Sequence, residues 1–320
     1  MTSTDLQDPS AMVPQKLGEA RRRTPKPKNS RPPWMEKPST FVSALKIVSI
    51  VLIVVVMLYP FLYVIMFSFA DQASITSGQL VPTSFSIEAY RSVLSGGIVT
   101  RALLVSVGIT AVGTFLAVTV TAMMAYGLTR TWQVPFSKAT LVLVLCTMFF
   151  GAGIIPNYLL IKQLGLLDSY WALIVPGLLG AFNMVVMRNF FMGLPQELLE
   201  SARIDGASEV RIFVGIVLPL SKAVIAVIAL FYAVGFWNVY FNALIYINDT
   251  AKWPIQLVLN QYVVQGNTLT DVSQATDRPP PPAQTVQMAI IVIATLPILV
   301  VYPFAQKFFT KGVLTGAIKG

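Results

Sequence analysis

Residues 46–69 read KIVSIVLIVVVMLYPFLYVIMFSF, an apolar run without an acidic residue and with a single lysine at its first position. The hydrocarbon core of a bilayer is about 30 Å thick, and a helix needs roughly 20 apolar residues to cross it. Comparable apolar runs follow at about residues 102–128, 137–160, 169–191, 219–240 and 286–306. The sequence therefore predicts an all-α integral membrane protein with six transmembrane helices.

The composition agrees with membrane insertion. Hydrophobic residues make up 55% of the 320 residues and charged residues 12%, against about 25% charged residues in a soluble domain. The predicted spans contain prolines, namely Pro60, Pro156, Pro176, Pro297 and Pro303. Transmembrane helices tolerate prolines because neighbouring helices bond the backbone groups that the ring leaves free. These prolines therefore do not argue against the spans.

The positive charge lies where membrane proteins carry it, and its placement does not suggest binding to nucleic acid. The formal net charge is +9, and residues 1–44 hold much of it in a basic, polar tail that is predicted to be disordered. With the N-terminus in the cytoplasm, every Lys and Arg falls on that side except Arg91, Arg101, Lys162, Lys252 and Arg278. Because cytoplasmic loops carry such an excess, both termini are predicted to be cytoplasmic. The tail either contacts anionic lipid of the bilayer or only signals this topology.

The residues that the sequence lacks exclude several classes of site. It has no histidine, and Cys146 is its only cysteine, so neither a disulfide nor a metal site is expected. All 14 Asp and Glu residues fall outside the predicted spans, whereas proton-coupled carriers place an ionisable group within the membrane. The phosphate-binding pattern G-x-x-x-x-G-K-S/T is absent as well. The chain is therefore not expected to be an enzyme. A secondary, ion-coupled carrier of small solutes remains the alternative function.

The segment between the fourth and fifth spans has an ordered pattern. Residues 192–219 read MGLPQELLESARIDGASEVRIFVGIVLP. Pro195 suits the first turn of a helix, and Gly206 can end that helix in the left-handed conformation. Asp205 can then cap a second helix that runs toward Leu218 and Pro219. The sequence predicts a short helix, a sharp turn and a second helix that enters the membrane.

This segment resembles the EAA loop of ABC importer permeases, E-A-A-x-x-D-G-A followed by F-x-x-I-x-L-P. The residues that match are Glu200, Ala202, Asp205, Gly206, Ala207, Phe213, Ile216, Leu218 and Pro219. Ser201 replaces the first alanine of the motif, and Ala223 stands where a proline is often found. Further matches lie at residues 188–191, 218–222, 231–238 and 306–312. From about residue 45 to its end, the chain is similar to the carbohydrate-uptake branch, and within it to complex-polysaccharide and lipoprotein-type permeases.

The resemblance implies a type I ABC importer permease (MetI-like) fold over residues 45–320, with a cytoplasmic coupling loop at residues 192–219 whose motif residues, from Glu200 to Pro219, couple the chain to the ATPase. It implies a subunit in the inner (cytoplasmic) cell membrane that translocates a sugar or oligosaccharide. The expected partners are a homologous second permease, two ATP-binding subunits that hold ATP and Mg, and an extracytoplasmic substrate-binding protein. The external loop 241–285 would contact that binding protein, with an uninvolved surface loop as the alternative.

Aromatic and amide side chains gather in the fifth span and just beyond it. Aromatic faces with amide donors suit sugar rings, which have an apolar face and a rim of hydroxyls. The candidates for the substrate pathway are Phe231, Tyr232, Trp237, Asn238, Tyr240 and Asn242. Trp and Tyr also gather at membrane interfaces as anchors. The sequence leaves both interpretations open.

Overall fold

The computed structural model describes residues 39–76, 81–95, 97–131, 134–266 and 281–317, and the regular elements in these ranges are all helical. The chain divides into a first unit of residues 1–56 and a second unit of residues 57–320. The described part of the first unit is helical from Thr40 onward and exposed throughout. The second unit contains the buried core and both candidate sites.

The described ranges contain the following α-helices, in chain order. They are α1 (Thr40–Phe67), α2 (Gln72–Thr76), α3 (Glu88–Ser95), α4 (Ile98–Thr129), α5 (Ser137–Cys146), α6 (Ile154–Gln163), α7 (Trp171–Ile174), α8 (Ala181–Met192), α9 (Gln196–Ile204), α10 (Glu209–Ile212), α11 (Leu218–Leu220), α12 (Lys222–Trp237), α13 (Phe241–Tyr246), α14 (Ile255–Leu259) and α15 (Ala283–Ala317). A π-helical turn, Phe213–Val217, joins α10 to α11.

Three of the predicted spans correspond to single long apolar helices. They are α1, α4 and the stretch Ala283–Pro303 of α15. Pro60 lies within α1, and Pro297 and Pro303 lie within α15. Proline inside these apolar helices was expected to be tolerated, and the helices do continue through it.

The other three predicted spans are interrupted. The span at 137–160 consists of α5 and α6, separated by residues 147–153, where Gly153 has a φ of 85°. In the span at 169–191, α7 leads into a 3-10 turn containing Pro176 and then bends by 46° into α8. Hydropathy records only that such runs are apolar, whereas glycine and proline decide whether the helix continues.

The fifth span begins later than predicted, because α12 starts at Lys222 after an 83° bend from the helical segment Glu209–Leu220. The described residues thus contain three helices able to cross a membrane, or up to five spans if each bent pair is one. The predicted count of six continuous spans is not confirmed.

Helix α4 forms the centre of the second unit and packs along α8 and α12, while α12 also packs against α15. Gly113 of α4 is buried, and a Cβ placed there would lie 3.0 Å from ring atoms of Phe236 on α12. The same ring would lie 3.0 Å from a Cβ at Gly177. Small residues allow membrane helices to approach closely, and here two glycines make room for one aromatic ring.

Two predicted boundaries differ from the structure. Helix α1 begins at Thr40, so the last residues of the predicted tail 1–44 are helical, and residues 1–38 lie outside the described residues. The predicted polar loop 241–285 contains α13 and α14. Ile255, Leu257 and Val258 of α14 are buried, which explains why this part of the loop folds. Residues 267–280 of this loop lie outside the described residues.

Candidate functional site

The loop 192–219 folds as a helix, a turn and a second helix. Helix α9 begins directly after Pro195 and has Glu197 in its first turn. Gly206 has a φ of 79°, the left-handed conformation that the sequence predicts. The backbone N–H of Ala207 donates to Ala202 O at 2.9 Å, and that of Gly206 donates to Arg203 O at 3.0 Å. These two bonds form a Schellman motif, which satisfies the last carbonyls of α9.

Ser208, rather than Asp205, caps the second helix, so that prediction is wrong. The backbone N–H of Arg211 donates to Ser208 Oγ at 3.4 Å, and Ser208 has extended backbone angles. Asp205 instead directly follows α9 as its C-cap residue, and its N–H donates to Ser201 O. The Schellman turn occupies Gly206 and Ala207, and therefore the second helix cannot begin until Ser208.

The second helix contains the remaining residues of the motif. Phe213 opens the π turn, and its ring lies 5.0 Å from that of Tyr126 on α4. Ile216 and Leu218 are partly buried against the core, and Pro219 is exposed. Single π turns inside α-helices are frequent at functional sites. This turn lies between the loop and the bend that leads into α12.

The loop has an anchored face and an exposed face. Leu199 and Ile212 are buried at 4% and 0% exposure and hold the two helices against the core. On the other face, Ile204 is 86% and Val210 is 72% exposed. The exposed polar residues beside them are Glu197, Glu200, Ser201 and Asp205. Large exposed apolar side chains rimmed by polar ones mark a surface that binds another protein.

Four of the six candidates for the substrate pathway hydrogen-bond within the chain. Trp237 is buried, and its Nε1 donates to Ala294 O at 3.2 Å. Asn238 Nδ2 donates to Val234 O at 2.8 Å, and the Tyr240 hydroxyl donates to Asn260 Oδ1 at 3.2 Å.

Tyr232, the fourth, is buried, and its hydroxyl lies 2.6 Å from Thr121 Oγ1. The same hydroxyl accepts a bond from Gly180 N at 2.9 Å. These bonds tie the fifth-span residues to neighbouring helices.

A cavity of about 270 Å³ brings three candidates together. Phe231, Tyr232 and Asn242 line it, whereas Trp237, Asn238 and Tyr240 do not. The other lining residues are Leu173, Pro176, Gly177, Gly235, Phe236 and Val239. The volume is close to the lower end of the range for small-molecule sites, about 300–1,000 Å³. Aromatic faces and one amide line the cavity, which is a surface suited to a sugar ring.

Several lining residues come from the broken fourth span and were not predicted. Leu173 lies on α7, and Pro176 and Gly177 belong to the 3-10 turn between α7 and α8. The Pro176-Gly177 pair is the sequence signal that could have indicated this break. Among the described residues, no three His, Cys, Asp or Glu side chains come together as metal ligands.

Comparisons with known proteins agree on one family. The profile of the family described as binding-protein-dependent transport system inner membrane component matches residues 39–315. The polygalacturonan/rhamnogalacturonan transport system permease protein YtcP of Bacillus subtilis (strain 168) is 48% identical over 264 residues, which cover 82% of this chain and 92% of that protein. Protein LplC of the same organism is 49% identical over 263 residues, covering 82% and 89% respectively.

A solved structure is similar over most of the chain. It is the crystal structure of a bacterial ABC transporter involved in the import of the acidic polysaccharide alginate. The TM-score is 0.81 at 28% identity, and the match covers 87% of this chain and all of the other.

Proposed function

The chain belongs to the family of binding-protein-dependent transport system inner membrane components, and we propose that it is the permease subunit of an ATP-driven importer of acidic oligosaccharides. It is a transmembrane subunit and not an enzyme, because members of this family are energised by a separate ATPase. The observation that carries the proposal is the loop 192–219. This loop presents exposed apolar and acidic side chains on a scaffold that is fixed to the core.

The substrate class follows from the relatives. YtcP is named for polygalacturonan and rhamnogalacturonan, and the similar crystal structure is of an importer of acidic alginate. In this chain the cavity at Phe231, Tyr232 and Asn242 provides apolar ring faces and an amide. We assign the sugar rings of a uronate-containing oligosaccharide to these faces.

The proposed assembly has two ATP-binding subunits on the side of α9 and a second permease beside this chain in the membrane. ATP and Mg are bound by the ATP-binding subunits. An extracytoplasmic binding protein delivers the oligosaccharide to the opposite side. In this arrangement both termini of the chain are cytoplasmic, as the distribution of Lys and Arg predicts.

In this proposal one path carries motion from the loop to the cavity. The segment Glu209–Leu220 turns by 83° into α12, and α12 bears Phe231 and Tyr232 at the cavity. About ten residues separate the bend from these side chains, or about 15 Å of helix. A displacement of the loop by the ATPase would therefore tilt α12 and change the width of the cavity.

The test compares two glycine variants of the loop. At Gly206, with a φ of 79°, a side chain is strained, whereas a Cβ at Gly215 meets nothing within 4 Å and Gly215 has no positive φ. A left-handed non-glycine residue costs about 1–2 kcal/mol. In proteoliposomes with all partners, we expect Gly206→Val to lower ATP-driven uptake of oligogalacturonate about tenfold, the effect of about 1.4 kcal/mol. Gly215→Val is the matched control.

Two results would contradict the proposal. One is uptake by Gly206→Val at the rate of the unchanged protein while Gly215→Val behaves the same way. The other is solute uptake by this chain without ATP-binding subunits under a sodium gradient, which would identify the ion-coupled carrier.

A further inference from the structure

We propose that Glu209 is a positioning residue that fastens the coupling loop to the end of α4, so that loop and helix move together. This inference rests on the proposed function. The side chains involved, here called the Glu209 clamp, are Tyr126, Arg130, Arg203 and Glu209.

The carboxylate of Glu209 joins three helices. Its Oε1 accepts a hydrogen bond from Arg203 Nε of α9 at 3.0 Å. Its Oε2 accepts one from the Tyr126 hydroxyl of α4 at 2.6 Å and lies 3.2 Å from Arg130 Nη2. Glu209 itself is the first residue of α10. One side chain therefore connects both halves of the loop with a membrane helix more than 80 residues away in sequence.

The α4 side of the clamp is held firmly. Arg130 Nη2 donates to the Tyr126 hydroxyl at 2.7 Å, and the guanidinium lies 4.9 Å from the centre of the Tyr126 ring. The Arg130 side chain is 13% exposed, while the Glu209 side chain is 46% exposed. An isolated ion pair on a surface contributes little, but several charges and hydrogen bonds that form one network hold their members in one arrangement. The Glu209 clamp is such a network.

The clamp lies on a second path from the loop to the cavity. Tyr126 is five residues beyond Thr121 on α4, about 7.5 Å along the helix. Thr121 Oγ1 lies 2.6 Å from the hydroxyl of Tyr232, which lines the cavity. Movement of α9 therefore reaches the same tyrosine through α4 as well as through α12.

Glu209 provides the only negative charge among the four side chains of the Glu209 clamp. Two guanidinium groups share this single carboxylate, and Arg203 Nη2 is buried without a hydrogen-bond partner. Without the Glu209 charge, Arg130 and Arg203 repel each other across the joint between α4 and α9. We expect the loop then to respond to the ATPase without moving α4.

The experiment measures ATP hydrolysed per oligosaccharide imported by the complete transporter in proteoliposomes. We expect Glu209→Gln, which keeps the shape and removes the charge, to raise this ratio about fivefold or more, the lower end of typical coupling between sites. Arg130→Gln should raise this ratio by a similar factor. The double variant should have a ratio no higher than that of either single variant, because all three proteins lose the same connection between the loop and α4. Glu88→Gln is the matched control, because Glu88 also pairs with an arginine, Arg91, at 3.1 Å but lies far from the loop in sequence.

The outcomes separate this inference from the proposed function. If Glu209→Gln keeps the ratio of the unchanged protein while Gly206→Val uncouples ATP hydrolysis from uptake, the inference about Glu209 is wrong and the proposed function stands. Additive effects of Glu209→Gln and Arg130→Gln would also overturn it. If Glu209→Gln reduces assembly, Tyr126→Phe removes only the hydroxyl from the clamp and must still raise the ratio. If the unchanged protein shows no ATP-dependent uptake, the proposed function itself fails.

Discussion

The hydroxyl of Tyr232 lies 2.6 Å from Thr121 Oγ1, and this contact joins α12 to α4 in the buried core. Because the same hydroxyl also accepts a bond from Gly180 N, we expect Tyr232→Phe to leave the buried Thr121 hydroxyl and the partly buried Gly180 N–H without this partner. Hydrogen bonds between membrane helices contribute about 0.5–2 kcal/mol, so the midpoint of thermal unfolding of the purified transporter should fall.

Tyr302→Phe is the control for this prediction, since Tyr302 is 59% exposed and its loss should change stability by less than about 0.5 kcal/mol. A Tyr232→Phe protein with unchanged stability but impaired selection between oligosaccharides would contradict the structural role and make Tyr232 a substrate contact.

Phe231 and Asn242 are the cavity residues on which we expect substrate effects. Phe231 is 43% exposed, and neither side chain needs to break a buried hydrogen bond with α4 in order to meet a sugar. Each alanine variant should lower the uptake rate at saturating binding protein about 2- to 10-fold, the effect of one lost contact. Phe241→Ala, at an exposed position that does not line the cavity, should leave the rate unchanged. An equal loss of uptake rate in Phe231→Ala, Asn242→Ala and the control Phe241→Ala would contradict a substrate pathway through this cavity.

Gly113 and Gly108 of α4 form a matched pair for testing the core. A Cβ at Gly113 would lie 3.0 Å from three atoms of the Phe236 ring, and one at Gly108 meets nothing within 4 Å. We expect Gly113→Ala to destabilise the protein by about 1–3 kcal/mol through overpacking. Gly108→Ala should stabilise it by up to about 1 kcal/mol, because alanine favours the helix. The measurement is the midpoint of thermal unfolding of each variant. The prediction requires the midpoint to fall in Gly113→Ala and to rise in Gly108→Ala.

Asp168 connects the segment before α7 with the chain after α13. It has a φ of 61°, and its Oδ1 accepts bonds from the backbone N–H groups of Asn248 and Asp249 at 3.1 and 3.0 Å. Asp168→Ala removes this acceptor, so hydrogen exchange at those two amides should accelerate about tenfold or more for a loss of about 1.4 kcal/mol.

Asp168→Asn retains the acceptor oxygen and is the control, with exchange close to that of the unchanged protein. Unaltered protection of both amides in Asp168→Ala would contradict the importance of this contact.

The family prediction made from the motif residues is confirmed by the comparisons, and the local structure of the loop was partly predictable. Gly206 ends α9 because glycine alone takes a φ of 79° without strain. The cap predicted at Asp205 lies at Ser208 instead, because the Schellman turn uses Gly206 and Ala207 before the second helix begins.

Long-range features were beyond the reach of sequence patterns. Glu209 lies in the gap between the two halves of the motif, and nothing in the sequence relates it to Arg130 or Tyr126. Their contact exists only because α4 and the loop meet in space. Likewise, the hydropathy of residues 137–160 predicts insertion into a membrane but not the break between α5 and α6.

The 83° bend before α12 has a mechanical consequence. The segment Glu209–Leu220 and α12 meet at this bend, and each of them is also joined to α4, through Glu209 with Tyr126 and through Tyr232 with Thr121. Under the proposed function, we expect a displacement of the loop by the ATPase to move these three segments together. Removing either of these side-chain contacts should leave α4 joined to the other two segments through only one of the two contacts.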